Sequence, residues 1–90
     1  PRLTQNAPNP FNPRTTIGFV LEESGNAVLD VYDTTGRRLR GLASGFHSAG
    51  AHQVVWDGRD DRGVEVPSGS YLYRIATDAG AETRRMLLLK

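Results

Sequence analysis

Apolar and polar residues alternate with a period of two along most of the chain, and no segment holds a helical period. From Thr15 to Leu21 the alternation puts Ile17, Phe19 and Leu21 on one face, and the β-branched Thr15 and Thr16 favour a strand start. Ala27, Leu29 and Val31 alternate with Val28, Asp30 and Tyr32. That run is closed by Asp33-Thr34-Thr35-Gly36, a tight turn with glycine where a positive φ is expected. A hairpin partner is predicted over Arg37 to Leu42, followed by a connecting stretch from Gly41 to Gly50. His52, Val54 and Trp56 share a face of the next strand, and Tyr71, Tyr73 and Ile75 line the one after the polar loop Asp57 to Gly63. A turn near Asp78-Ala79-Gly80 leads into the last strand. Met86 to Leu89 are all apolar there, the pattern of a strand buried on both faces or of one edge covered by a partner. With a short strand around Leu3 to Gln5, the spacing of roughly ten residues per strand predicts an all-β, immunoglobulin-like antiparallel sandwich of about seven strands. Its expected core is Ile17, Phe19, Leu29, Val31, Val54, Trp56, Tyr71 and Tyr73.

The segment from Gln5 to Pro13 breaks the pattern. Its prolines, Pro8, Pro10 and Pro13, each remove a ladder donor and restrict the residue before them, so it reads as an ordered extended loop pinned by Phe11. Residues 1–14 are therefore a proline-rich lead-in and residues 15–90 the sandwich. The chain is 90 residues long, enough for one domain with little room for a deep cleft. It has no cysteine, so disulfides and thiolate metal sites are excluded. The net charge of +1 arises from scattered residues of both signs, without the basic runs that nucleic acid or a membrane surface would call for. No signal segment and no transmembrane-length apolar run is present, and the start at Pro1 reads as a piece of a longer protein.

Candidate chemistry is sparse. His47 and His52 are the only histidines, and no Gly-x-Ser-x-Gly elbow accompanies them, so no catalysis is expected. Asp57, Asp60 and Asp61 form the one carboxylate cluster on a glycine-containing loop, weak candidates for Ca²⁺. Arg59 stands where an EF-hand needs a ligand and no closing Glu follows, so Asx turns partnered by Arg59 or Arg62 are the plainer reading. No cofactor is expected. Among the aromatics, Tyr32 alone falls out of phase with its strand's apolar face, which leaves one exposed ring where a sugar platform needs a pair.

The string Gln5-Asn6-Ala7-Pro8-Asn9-Pro10-Phe11-Asn12-Pro13, the blocks Val31 to Arg37 and Trp56-Asp57-Gly58, and Pro67 to Tyr71 with the terminal Met86 to Lys90 resemble the type A C-terminal sorting domain of the type IX secretion system. They also resemble the immunoglobulin-like domain of flagellar hook-capping proteins. The first resemblance implies a noncatalytic sorting domain that directs a larger cargo through periplasm and outer membrane. Its partners would be the outer-membrane secretion machinery, a surface-attachment enzyme and N-terminal cargo domains, and it would end secreted or on the cell surface. Carried over by position, translocon recognition would fall on Gly69, Tyr71, Tyr73, Met86, Leu88 and Lys90. A C-terminal edge strand is physically suited to such a role, because its unpaired backbone groups invite strand addition. The alternative is a structural spacer, or a cell-attachment or carbohydrate-binding module, of a secreted multidomain enzyme.

Overall fold

The computed structural model describes residues 1–90 and is an immunoglobulin-like β-sandwich of seven strands and no helix. The strands are β1 (Arg2–Leu3), β2 (Thr15–Leu21), β3 (Gly25–Asp33), β4 (Arg38–His47), β5 (Gly50–Trp56), β6 (Gly69–Thr77) and β7 (Gly80–Leu88). One sheet has the order β1-β2-β5 and the other β4-β3-β6-β7, with every neighbouring pair antiparallel. The period-two pattern decides which side of each strand is buried. Ile17, Phe19 and Leu21 point inward from one sheet; Ala27, Leu29, Val31, Tyr71, Tyr73 and Ile75 meet them from the other. Burying a large apolar side chain of this kind is worth roughly 1.5 to 3 kcal/mol, which is why alternation specifies the register so firmly.

The hairpin after Asp33 runs further than its sequence suggests. The turn forms as expected: Gly36 has φ +89°, and the Asp33 carboxylate accepts from the Thr35 and Arg37 amides. However, β4 continues through the glycines to His47, so the predicted connection from Gly41 to Gly50 is mostly strand. Two register irregularities opposite Leu29/Asp30 and Val31/Tyr32 absorb the mismatch, and the irregular phase is what hid this strand.

One end of the core is aromatic. Phe11 and Trp56 lie 5.7 Å apart between ring centroids, and Trp56 meets Tyr71 edge-on at 5.5 Å. The Trp56 indole N–H donates to the Arg59 carbonyl at 2.9 Å, satisfying its one polar atom. Phe11 is 2% exposed, so the lead-in is part of the core as well as a connector.

Candidate functional site

The six residues expected to meet a receptor share the β6–β7 pair, where Tyr71 faces Met86 and Gly69 faces Leu88. Four of the six turn their side chains into the core. Tyr71, Tyr73, Met86 and Leu88 are buried, the last three at 1% exposure or less. Tyr73 is a junction: its hydroxyl donates to the Thr4 carbonyl at 2.7 Å and accepts from the Asn6 amide at 2.9 Å, tying the lead-in to β6. The Tyr71 hydroxyl donates to the Pro67 carbonyl. Burial raises the pKa of both phenols, keeping them protonated as donors. Of the six, only Lys90 is fully exposed, and its backbone amide donates to Ser68 Oγ.

The C-terminal part of β7's free side is also taken. The Leu87 amide donates to Asn9 Oδ1, the Phe11 amide donates to the Leu87 carbonyl, and the Leu89 amide donates to the Phe11 carbonyl, each at 3.0 Å. Gln5 Nε2 adds a bond to the Arg85 carbonyl at 2.9 Å. The apolar run Met86 to Leu89 thus has its cause inside the chain: the covering partner is the proline-rich lead-in, with Phe11 bridging Leu88 in parallel. Asn6, buried within that strap, donates through Nδ2 to Pro8 O and Thr15 Oγ1, and Thr15 Oγ1 donates to Pro8 O. No buried side-chain polar atom lacks a partner.

The carboxylates of the loop after β5 hold turns and arginines. Asp57 Oδ1 accepts from the Arg59 amide and from Arg40, and Asp60 Oδ1 accepts from the amides of Arg62 and Val64. Asp61 accepts from the Gly41 amide through Oδ1 and from Arg38 through Oδ2, while its own amide donates to the Leu39 carbonyl. The loop thereby covers the outer edge of β4. Backbone hydrogen bonds hold Asp60 and Asp61 below the usual carboxylate range, the Val64 amide leading for Asp60 and the Gly41 amide for Asp61, with Arg38 second there. No group of three or more acidic or histidine side chains is arranged to hold a metal ion, and Asp57, Asp60 and Asp61 make the Asx-type turns and arginine pairs instead. Gly58 sits at φ +75° where the loop meets the lead-in. A Cβ there would lie 3.2 Å from the Pro13 carbonyl on a backbone that L side chains rarely adopt, so glycine eases the close approach of lead-in and loop.

Both histidines are packed. The His52 ring stacks on Phe19 at 5.1 Å and meets His47 edge-on at 5.2 Å, and each has a nitrogen against a backbone carbonyl, of Ser48 and Gly45 respectively. Tyr32 is half-buried beside Leu72, with Arg38 opposite on the other side, so no second ring completes a sugar platform. A hollow of about 260 Å³ opens at the β2–β3 turn, lined by Glu22, Glu23, Gly25 and Asp78, and His47 lies beside it as the strand partner of Gly25. What sequence reasoning missed is the pairing of Asn9 and Phe11 with Leu87: neither residue carries a periodic signal, and the contact joins the two ends of the chain.

Comparison with known proteins gives a consistent picture. Residues 11–81 match the family model described as the FlgD Ig-like domain. Over 67 residues the chain is 36% identical to the basal-body rod modification protein FlgD of Salmonella typhimurium, covering 73% of this chain and 29% of that protein. Among solved structures, FlgD from P. aeruginosa superposes with a TM-score of 0.65 at 26% identity, over 82% of this chain and 58% of that one. PorZ, a surface component of the type IX secretion system of Porphyromonas gingivalis, superposes with a TM-score of 0.68 over 96% of this chain and 11% of its own. At 22% identity that likeness shows the fold alone. The chain spans about three tenths of the length of the curated relatives it matches. The family match overturns the assignment to a type IX sorting domain, and with it the secretion machinery, attachment enzyme and cargo domains as partners. Tyr71, Tyr73, Met86 and Leu88 are core residues of this fold, and Gln5, Asn9 and Phe11 cover the C-terminal part of β7.

Proposed function

The chain belongs to the FlgD Ig-like domain family, and on that premise we propose that it is a noncatalytic module of a longer protein that works at the flagellar rod and hook. The observation that carries this reading is the match over residues 11–81 together with 36% identity to a basal-body rod modification protein. The module acts by shape and by surface contact. Each histidine holds a backbone carbonyl and packs against a ring, and Asp57, Asp60 and Asp61 serve turns and arginines, which favours a role through contact. On this reading the domain works outside the cytoplasm.

A domain exchange tests the proposal. In Salmonella typhimurium FlgD, the 67-residue matched region is replaced by the corresponding stretch of this chain, and hooks are counted by electron microscopy alongside swimming. Restored hooks support the reading. A chimera that accumulates to normal levels, resists protease as a folded protein and yet builds no hooks would overturn it.

A further inference from the structure

Three of the four sheet edges are protected. The C-terminal part of β7 is covered by Gln5, Asn9 and Phe11, and its remainder carries Glu82, Arg84 and Arg85. The outer edge of β4 is covered at Leu39 and Gly41 by Asp61, and further along it is broken by Gly45 at φ +109°. At the opposite side, β1 is only two residues long. These are the devices by which folded proteins avoid unwanted strand pairing.

The fourth edge, β5, has none of them. Its seven residues, Gly50-Ala51-His52-Gln53-Val54-Val55-Trp56, include no proline, lysine, arginine or carboxylate, and the strand is regular beside β2. The direction of its hydrogen bonds follows from β2. Thr16 exchanges both backbone bonds with Ala7, and the Gly18 carbonyl accepts from Thr4, so the even residues of β2 face β1 and the lead-in. The odd residues of β2 therefore bond the even residues of β5. It follows that the N–H and C=O groups of Ala51, Gln53 and Val55 point outward, and all three residues are exposed, Val55 at 54%. Beside them, His52 and Val54 are only half-buried on the inner face.

We propose that β5 is a self-association edge that pairs with β5 of a second copy of this chain, antiparallel about a two-fold axis at Gln53. A neutral strand is self-complementary where a charged one would repel its copy. The axis sets Gln53 opposite Gln53 of the copy, Val55 opposite Ala51, and Val54 opposite His52, covering the side chains that β2 leaves half-exposed. The result joins two three-stranded sheets into one of six, satisfying the outward groups of Ala51, Gln53 and Val55 in each copy. A net charge of +1 opposes this approach only weakly.

The test uses the 90-residue chain in sedimentation equilibrium from micromolar to millimolar concentration, with amide hydrogen exchange at both extremes. The wild type becomes dimeric as concentration rises, and exchange at Ala51, Gln53 and Val55 slows by about tenfold or more while Leu87 is unchanged. Gln53→Lys sets two cations face to face across the axis and raises the dimer dissociation constant by about tenfold or more, with Trp56 fluorescence reporting an intact fold. Val55→Lys puts a charged residue on the edge opposite Ala51 of the copy, a device that discourages strand pairing, and also raises the constant, so the result does not hang on one variant folding. A chain that stays monomeric at millimolar concentration overturns the proposal. So does a dimer that both lysine variants form equally well, or one that leaves the three amides unprotected.

Discussion

Strands β7 and β5 end up in opposite situations. β7 carries the chain's longest apolar run and sits at a sheet edge, yet its outer backbone groups from Arg85 to Leu89 are occupied by Gln5, Asn9 and Phe11. β5 is shorter, alternates cleanly and has an outer edge with no partner at all. Hydrophobicity marks which strand needs covering, because an apolar edge left open is the one most exposed to aggregation. It does not mark which strand is available to a partner. An apolar C-terminal strand can thus look like a docking signal in sequence and be an interior element in the fold.

The contrast can be broken most severely at Phe11. Phe11→Ala removes a ring packed on Trp56 and unpins the strap from β7, and should cost about 3 to 5 kcal/mol in urea denaturation, much of a small domain's total. A loss under about 1 kcal/mol would mean that the strap is not part of the core. Next in size is Tyr73→Phe. It deletes the hydroxyl shared by Thr4 and Asn6 while leaving the packing, and should cost about 1 to 3 kcal/mol because the buried amide loses its acceptor. The same variant should loosen the lead-in selectively, seen as faster proteolysis between Thr4 and Pro13.

Acid sharpens the comparison from the side of β4. Asp33, Asp60 and Asp61 all titrate below the ordinary carboxylate value, Asp33 chiefly through Thr35 and the latter two through backbone amides. The unfolded chain therefore takes up protons first as pH falls. Their contribution is present above the unfolded pKa, near about 4, and is lost as pH drops through the lower folded values. The urea midpoint should hold steady from pH 7 to about 5 and decline below about 4. Asp61→Asn should flatten part of that decline. A midpoint that rises on acidification would contradict these assignments. Smallest of all on stability is Gln53→Lys on the open edge, within about 0.5 kcal/mol of the wild type in dilute solution, since the side chain is exposed and unbonded there.

Much of the fold is legible because one face of each strand is buried. The alternation of Ile17, Phe19 and Leu21 sets the bounds of β2 to the residue, and Asp33 to Gly36 announce their own turn. β4 is less legible, since its irregular register and four intervening small residues, Gly41, Ala43, Ser44 and Gly45, erase the alternation. The site was hardest to read. Tyr71 and Met86 are recognisable as apolar, but whether such residues form a core or a docking face depends on what covers the β7 edge. That is decided by Asn9 and Phe11, some 78 residues away from Leu87 in the case of Asn9. Local propensity carries no information about a contact of that span.

The central claim, that the C-terminal strand is an interior element strapped by the lead-in, is tested most directly by native-state hydrogen exchange in dilute solution. The account predicts that the amides of Leu87 and Leu89 exchange only with global unfolding, and that those of Ala51, Gln53 and Val55 exchange many orders faster. Leu87 and Leu89 exchanging as quickly as Val55 would show that the β7 edge is open and would contradict the account.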